Sequence, residues 1–262
     1  MEKPILEMKS IKKGFNGVEV LHSINFSVCR GKVTALVGEN GAGKSTLMKI
    51  LMGEYQPDSG TIILDGQEVV FADPHRALMS GISMIFQEMS PFPNLTVAQN
   101  LFAGREPHIG PFIDNRRIRE QAKTLLESLS IRLDIDKKVR DLTVSEMQLL
   151  EIAKAVSHQA KIVIMDEPTS ALTDTEVGLL FDIIRQLKEQ GVSIIYITHK
   201  LEELKAIADE ICVLRDGCII NTHPIAEYDQ NQIVSEMVGR KIENIYPQIT
   251  KEIGEVDRKS VV

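Results

Sequence analysis

The sequence predicts an α/β fold: a mainly parallel sheet with helices on both faces, an N-terminal antiparallel β subdomain and an inserted α-helical subdomain. Three observations predict it. Ile162 to Met165, Ser193 to Ile197 and Glu210 to Leu214 are β-branched and nearly all apolar, the pattern of strands buried on both faces of a parallel sheet. Helical stripes alternate with strands; Thr175 to Gln190 places Val177, Leu180, Phe181, Ile184 and Leu187 along one face. From about Asn94 to Gln159 only helical patterns occur, clearest in Arg116 to Ser128 and Ser145 to Ser157, with no convincing strand.

In chain order, the N-terminal part reads as short strands: Ile5 to Ser10, Asn25 to Cys29, Lys32 to Val37 and Gly60 to Leu64. Asp65-Gly66 is a hairpin signal, because glycine tolerates positive φ there. Lys44 to Met52 is a helix with Leu47, Ile50 and Leu51 on its apolar face, stopped at Gly53. The expected organisation is one domain over residues 1–240, with the helical subdomain at about 94–159. Residues 241–262, polar and mixed, read as a linker or C-terminal tail.

Composition narrows the classes. The chain is 43% hydrophobic and 26% charged, as in ordinary globular proteins. No apolar run reaches ~18 residues, and MEKPILEMKS lacks the apolar centre of an export signal. The net charge of −7 disfavours a general nucleic-acid binder, although a local basic patch is compatible with it. Cys29, Cys212 and Cys218 have neither zinc spacing nor a disulfide framework, and read as reduced, partly buried thiols of a cytosolic protein.

The run GENGAGKS, from Gly38 to Ser45, fits G-x-x-x-x-G-K-[ST] and lies between a predicted strand and a predicted helix, the context this phosphate loop requires. It marks the core as a P-loop NTPase (RecA-like) fold. Gly38, Glu39, Asn40, Gly41, Ala42 and Gly43 offer backbone N–H groups that curl around phosphate oxygens. The helix N-terminus adds donors and partial positive charge. Lys44 reaches the β- and γ-phosphates of ATP, the Ser45 hydroxyl ligates Mg²⁺, and Thr46 offers a further hydroxyl. Downstream, Asp166 and Glu167 end a buried strand, where α/β proteins bind ligands. Asp166 is the expected Mg²⁺ carboxylate and Glu167 the group that polarises attacking water.

With the phosphate loop, VIMDEPTSALT and YITHK in this order, the chain resembles the ABC ATPases over roughly residues 3 to 247. That resemblance implies further roles. Gln87, in MIFQE, matches the glutamine that senses Mg²⁺ and contacts the membrane partner. His199 matches the switch histidine at the γ-phosphate, and Phe15 the aromatic that stacks on adenine. The family signature Leu-Ser-Gly-Gly-Gln maps to Leu142-Thr143-Val144-Ser145-Glu146, so Thr143 and Ser145 are expected at the nucleotide held by a second ATPase domain. The signature departs from the family pattern, and the bulk of Val144 and the charge of Glu146 oppose close phosphate approach. Thr173 replaces the usual D-loop aspartate.

VSEMQLLEIAKAVS, NLTVAQNLFAGRE and MVGR resemble the monosaccharide-import branch, which serves ribose, galactose, xylose and related sugars. Chains of that branch usually fuse two ATPase domains, so this one reads as an N-terminal half, whether excised or natural. The resemblance implies an ATPase that energises import. Its partners would be a second ATPase domain (fused half or separate copy), a transmembrane permease and, indirectly, a sugar-binding protein. It would sit in the cytoplasm, peripherally on the inner face of the membrane. Two alternatives remain: a nucleotide-binding regulator, and a soluble ABC ATPase not coupled to transport. Chromosome-maintenance types insert long coiled coils between the glutamine and the signature, whereas Gln87 and Leu142 lie only 55 positions apart. A small-molecule kinase would share the phosphate loop without needing the Gln87, signature and His199 set.

Overall fold

The computed structural model describes residues 3–85, 91–158, 160–227 and 229–239. The chain opens with two long antiparallel strands, β1 (Pro4–Phe15) and β2 (Val18–Cys29). β3 (Val33–Val37) feeds α1 (Lys44–Leu51). β4 (Ser59–Leu64) and β5 (Gln67–Val69) follow, turning at Asp65-Gly66 with positive φ at both residues, as a tight hairpin requires. Then come α2 (Pro74–Met79), β6 (Ile82–Ile85), α3 (Val97–Leu101), the short strands β7 (His108–Ile109) and β8 (Phe112–Ile113), α4 (Asn115–Ser128) and α5 (Val144–Val156). The last part alternates strictly: β9 (Ile162–Asp166), α6 (Asp174–Glu189), β10 (Ser193–Ile197), α7 (Leu201–Ile207) and β11 (Glu210–Arg215), closing with β12 (Cys218–Pro224) and α8 (Gln230–Val238).

Two larger sheets result. One is antiparallel, in the order β2-β1-β4-β5. The other has the order β12-β11-β3-β10-β9-β6, and every pairing in it is parallel except that of the edge strand β12 with β11. Strand periodicity divides the core in two, since successive side chains point to opposite faces. Val163, Met165, Ile194, Tyr196, Ile211 and Val213 face the side packed by α4, α5 and α6. Their neighbours Ile162, Ile164, Ile195, Ile197, Cys212 and Leu214 face α1 and the antiparallel sheet. Both faces are therefore buried, which is why these strands read as continuous apolar runs. Burial pushes the Cys212 thiol up to about 12.

The segment read as strand-free is corrected in one place. Between α3 and α4 the chain forms the β7–β8 hairpin, with Ile109 paired to Phe112. Two-residue strands around Gly110-Pro111 are too short to show any periodicity. The sequence pattern does not announce β6 or β12 either. β6 is four residues long, and β12 lies at the sheet edge, where Asn221 and Thr222 are exposed and break the apolar pattern.

Capping residues set the helix starts. Thr143 and Glu146 form a reciprocal capping box on α5: the Glu146 N–H donates to Thr143 Oγ1 (3.2 Å) and the Thr143 N–H donates to Glu146 Oε2 (2.8 Å). Thr173 opens α6 in the same way, its N–H and hydroxyl both donating to the Glu176 carboxylate at 2.8 Å. The departures at positions 143, 146 and 173 thus act as local helix-starting residues.

Candidate active site

Parallel pairing brings three strand ends together. Ile197 of β10 is level with Leu36 of β3 on one side and with Asp166 of β9 on the other. The residues that follow these strands, the loop after Val37, the Asp166-Glu167 pair and Thr198-His199, therefore emerge at one edge of the sheet. They surround an open cavity of about 1060 Å³, whose wall includes residues 38–46 except Ala42, together with Asp166, Glu167 and His199.

The loop's shape rests on its glycines. A Cβ on Gly38 would stand 2.1 Å from the Leu214 carbonyl oxygen of β11, so the loop passes against that strand's backbone. Gly43 caps α1 with φ 108°, a conformation that side-chain-bearing residues avoid. Lys44 Nζ arches back over the loop and donates to the carbonyls of Gly38 (2.8 Å) and Glu39 (2.9 Å). Burial lowers the Lys44 pKa, against the opposing pull of Asp166 and Glu167. Burial raises the Asp166 carboxyl, the neighbouring Glu167 raises it further, and Lys44 opposes both.

A carboxylate desolvated in this way destabilises the fold that holds it when no cation is bound. Asp166→Asn is therefore expected to raise the melting temperature of the nucleotide-free chain at neutral pH. Below the ordinary aspartate pKa of about 3.9, Asp166 is protonated in both folded and unfolded states, so the variant has no advantage there. The advantage develops as pH rises through the elevated folded-state value. Thermal denaturation of both proteins from acid to neutral pH checks this, and a lower melting temperature for the variant at neutral pH would contradict it.

Glu167 leaves β9 with φ 48°, an uncommon conformation for a non-glycine residue. Its N–H donates to the Ile197 carbonyl at 2.9 Å, which ties the turn to β10. Its Oε1 lies 3.0 Å from His199 Nδ1. Carboxylate and imidazole thus form a contact across the two strand ends, 32 positions apart in sequence.

The other anticipated residues are placed as follows. Phe15 ends β1, half exposed, packed edge-on against Tyr55 with ring centroids 5.2 Å apart and with Lys13 Nζ 5.3 Å from its own centroid; it does not line the cavity. The Ala42 methyl is buried and its carbonyl accepts the Gly217 N–H (3.1 Å), so this residue supports the loop from below. Thr143 and Ser145 lie at the start of α5 and do not line this cavity; the Ser145 hydroxyl donates to the Ala171 carbonyl at 3.0 Å. Gln87 lies outside the described residues. The sequence reading missed two wall residues, Val20 of β2 and Met237 of α8. The apolar pair Ile233 and Met237, four positions apart, was the available signal for α8.

The ABC transporter family model matches residues 21–170, more than half of the chain, including the loop, Asp166 and Glu167. The chain belongs to the ABC transporter family. A relative from Geobacillus kaustophilus, named as a ribose/galactose/methyl galactoside import ATP-binding protein, is 51% identical over 97% of this cassette and 51% of its own length. A galactose/methyl galactoside import ATP-binding protein from Sodalis glossinidius is 48% identical over 96% of the cassette and 50% of its own length. The chain thus spans about half the length of the curated relatives it matches. Among solved structures, the ADP conformation of an ATP-binding cassette of an ABC transporter superposes with a TM-score of 0.77 at 26% identity, covering 91% of this chain and all of that one.

Proposed function

We propose that this ABC cassette binds Mg-ATP in the cavity and hydrolyses it to energise import of a monosaccharide through a membrane permease. The observation that carries the reading is the convergence of Lys44 and the Glu167–His199 contact on one cavity at the sheet edge. The loop N–H groups and the N-terminus of α1 hold the phosphates. Lys44 stabilises charge on the transferring phosphoryl group. Glu167 accepts a proton from the attacking water, and His199 orients that carboxylate and faces the γ-phosphate.

The donor set suits Mg²⁺, a hard cation that takes oxygen ligands and is held by only one or two protein carboxylates beside phosphates and water. Ser45 supplies a hydroxyl, and the desolvated Asp166 carboxylate needs a cation. Gln87 would add a third oxygen. When bound, the ion would supply positive charge that offsets the negative charge of the phosphates.

The length of the relatives, about twice that of this chain, and their import names support the remaining assignments. A second ATPase domain, packed head-to-tail, would complete the site with its own signature helix, while Thr143 and Ser145 of this chain would face that partner's nucleotide. Phe15 would stack on adenine. Among the described residues no helix is long and apolar enough to cross a membrane. On the import reading, the permease would be a separate protein and the cassette would sit peripherally at the cytoplasmic face.

Lys44→Ala in the assembled transporter tests this. Loss of a charge-assisted hydrogen bond is expected to weaken Mg-ATP binding roughly 10- to 100-fold and to abolish uptake of labelled ribose or galactose. Unchanged affinity would refute the site, and a wild-type transporter that takes up none of a panel of labelled monosaccharides, ribose, galactose and xylose among them, would refute the substrate class.

A further inference from the structure

Behind the proposed site lies a buried carboxylate that the mechanism above leaves unused. Glu203, on α7, is 9% exposed. Its Oε1 accepts from the Thr169 hydroxyl at 2.7 Å. Its Oε2 accepts from the Tyr196 hydroxyl at 2.8 Å and from the Thr198 hydroxyl at 3.3 Å. Lys200 Nζ stands 3.6 Å from Oε1 and also donates to Thr169 Oγ1 (3.2 Å) and to the Thr169 carbonyl (3.4 Å).

The partners follow a pattern. Thr169 lies two residues after Glu167, in a turn that the Ser170 N–H closes onto the Glu167 carbonyl at 3.2 Å. Thr198 immediately precedes His199, and its hydroxyl accepts the Lys200 N–H at 3.0 Å, so it spans the turn that carries the histidine. One carboxylate oxygen therefore grips the turn after β9, and the other grips the end of β10. The His199 side chain is itself 63% exposed, so its position depends on the backbone that presents it.

Stability alone does not account for an acidic group here. A buried carboxylate carries a desolvation cost, and an apolar side chain of similar volume often serves a fold as well or better. Tyr196 is fully buried in the core, and burial, reinforced by Glu203, raises its hydroxyl pKa. That hydroxyl is held as a donor, and the carboxylate is its acceptor.

We infer that Glu203 is a positioning residue for hydrolysis: it locks the turn bearing Glu167 to the turn bearing His199, so that the two side chains meet. The inference rests on the assignment of Glu167 and His199 to hydrolysis. Small displacements of a reacting group cost up to ~10²-fold in rate.

The test uses Glu203→Ala, Glu203→Gln and Thr169→Val in the assembled transporter, with Glu167→Gln in parallel. Glu203→Ala and Thr169→Val are expected to lower kcat about 10- to 100-fold while leaving the Mg-ATP dissociation constant within about twofold, the mark of an interaction that acts in the transition state. Glu203→Gln keeps the size and an acceptor oxygen, and its amide can donate to the rotatable hydroxyls, so it should restore most of the rate. In the full chain, the imidazole ¹⁵N shifts of His199 should move in Glu203→Ala and return in Glu203→Gln. Should Glu203→Ala fail to fold, Thr169→Val carries the same test. Wild-type kcat in Glu203→Ala or Thr169→Val, or unmoved His199 shifts, would overturn the inference. If Glu167→Gln alone kept wild-type turnover, the hydrolysis reading would fail instead, and the His199 shifts would still decide whether Glu203 positions the pair.

Discussion

Glu167→Gln is expected to lower ATP turnover by roughly 10²–10⁴-fold, the usual contribution of a positioned general base, with little change in Mg-ATP affinity. The substitution is close to isosteric. Glutamine can adopt the same rotamer at the φ 48° position, and its amide oxygen can still accept from His199 Nδ1. The backbone anchor of the turn survives as well, because the bond from the Glu167 N–H to the Ile197 carbonyl does not involve the side chain. What is lost is the basicity of the carboxylate. The residues proposed to bind phosphate lie on a different element, the loop before α1, so binding and turnover should separate cleanly. Single-turnover hydrolysis with equilibrium nucleotide binding measures both, and a variant with wild-type turnover would remove Glu167 from the base role.

Gly38→Ala is expected to be severely damaging for a single added methyl. The added Cβ would lie 2.1 Å from the Leu214 carbonyl oxygen. Both atoms belong to backbone held in place by the parallel sheet, since β11 is hydrogen-bonded between β3 and β12. No flexible side chain can yield. Either the sheet shifts, at a cost of about 3 kcal/mol or more, or the loop is displaced and its N–H groups lose their common focus. For a domain of this size the first outcome lowers the melting temperature by roughly 6–12 °C. The second leaves melting nearly unchanged and weakens Mg-ATP binding. A variant with wild-type melting and wild-type affinity would contradict the close approach. Gly41→Ala is the control: nothing lies within 4 Å of its Cβ, so only the strain of its φ of 84° applies.

The signature segment shows where sequence reading and structure part. Read along the chain, Glu146 is a negative charge placed where phosphate should approach. In the fold its carboxylate turns back to accept the Thr143 N–H and meets Lys137 at 3.0 Å; these contacts hold its pKa below the ordinary value. The charge is present but engaged. Lys137 is nine residues upstream, and no local pattern announces that it returns to this helix start.

What the sequence determined by itself was the placement of candidate residues that are contiguous or end a recognisable strand. The loop at 38–45 needs only its own spacing and its strand-to-helix context. Asp166 and Glu167 are legible because a doubly buried strand reads as an apolar run and its end is unmistakable. The α/β class follows from the same runs, while short elements such as β6, β7 and β8 fall below the length at which periodicity can be seen. Only the tertiary structure decided which distant residues meet. It set His199 against Glu167, brought Met237 and Val20 to the cavity wall, and turned Glu203, which on a seven-residue helix reads as a solvated charge, into the acceptor of three hydroxyls. The physical reason is that burial and pairing depend on strand order: parallel neighbours β3, β10 and β9 are separated by long crossovers, and their adjacency is settled by packing both faces of one sheet rather than by any local spacing.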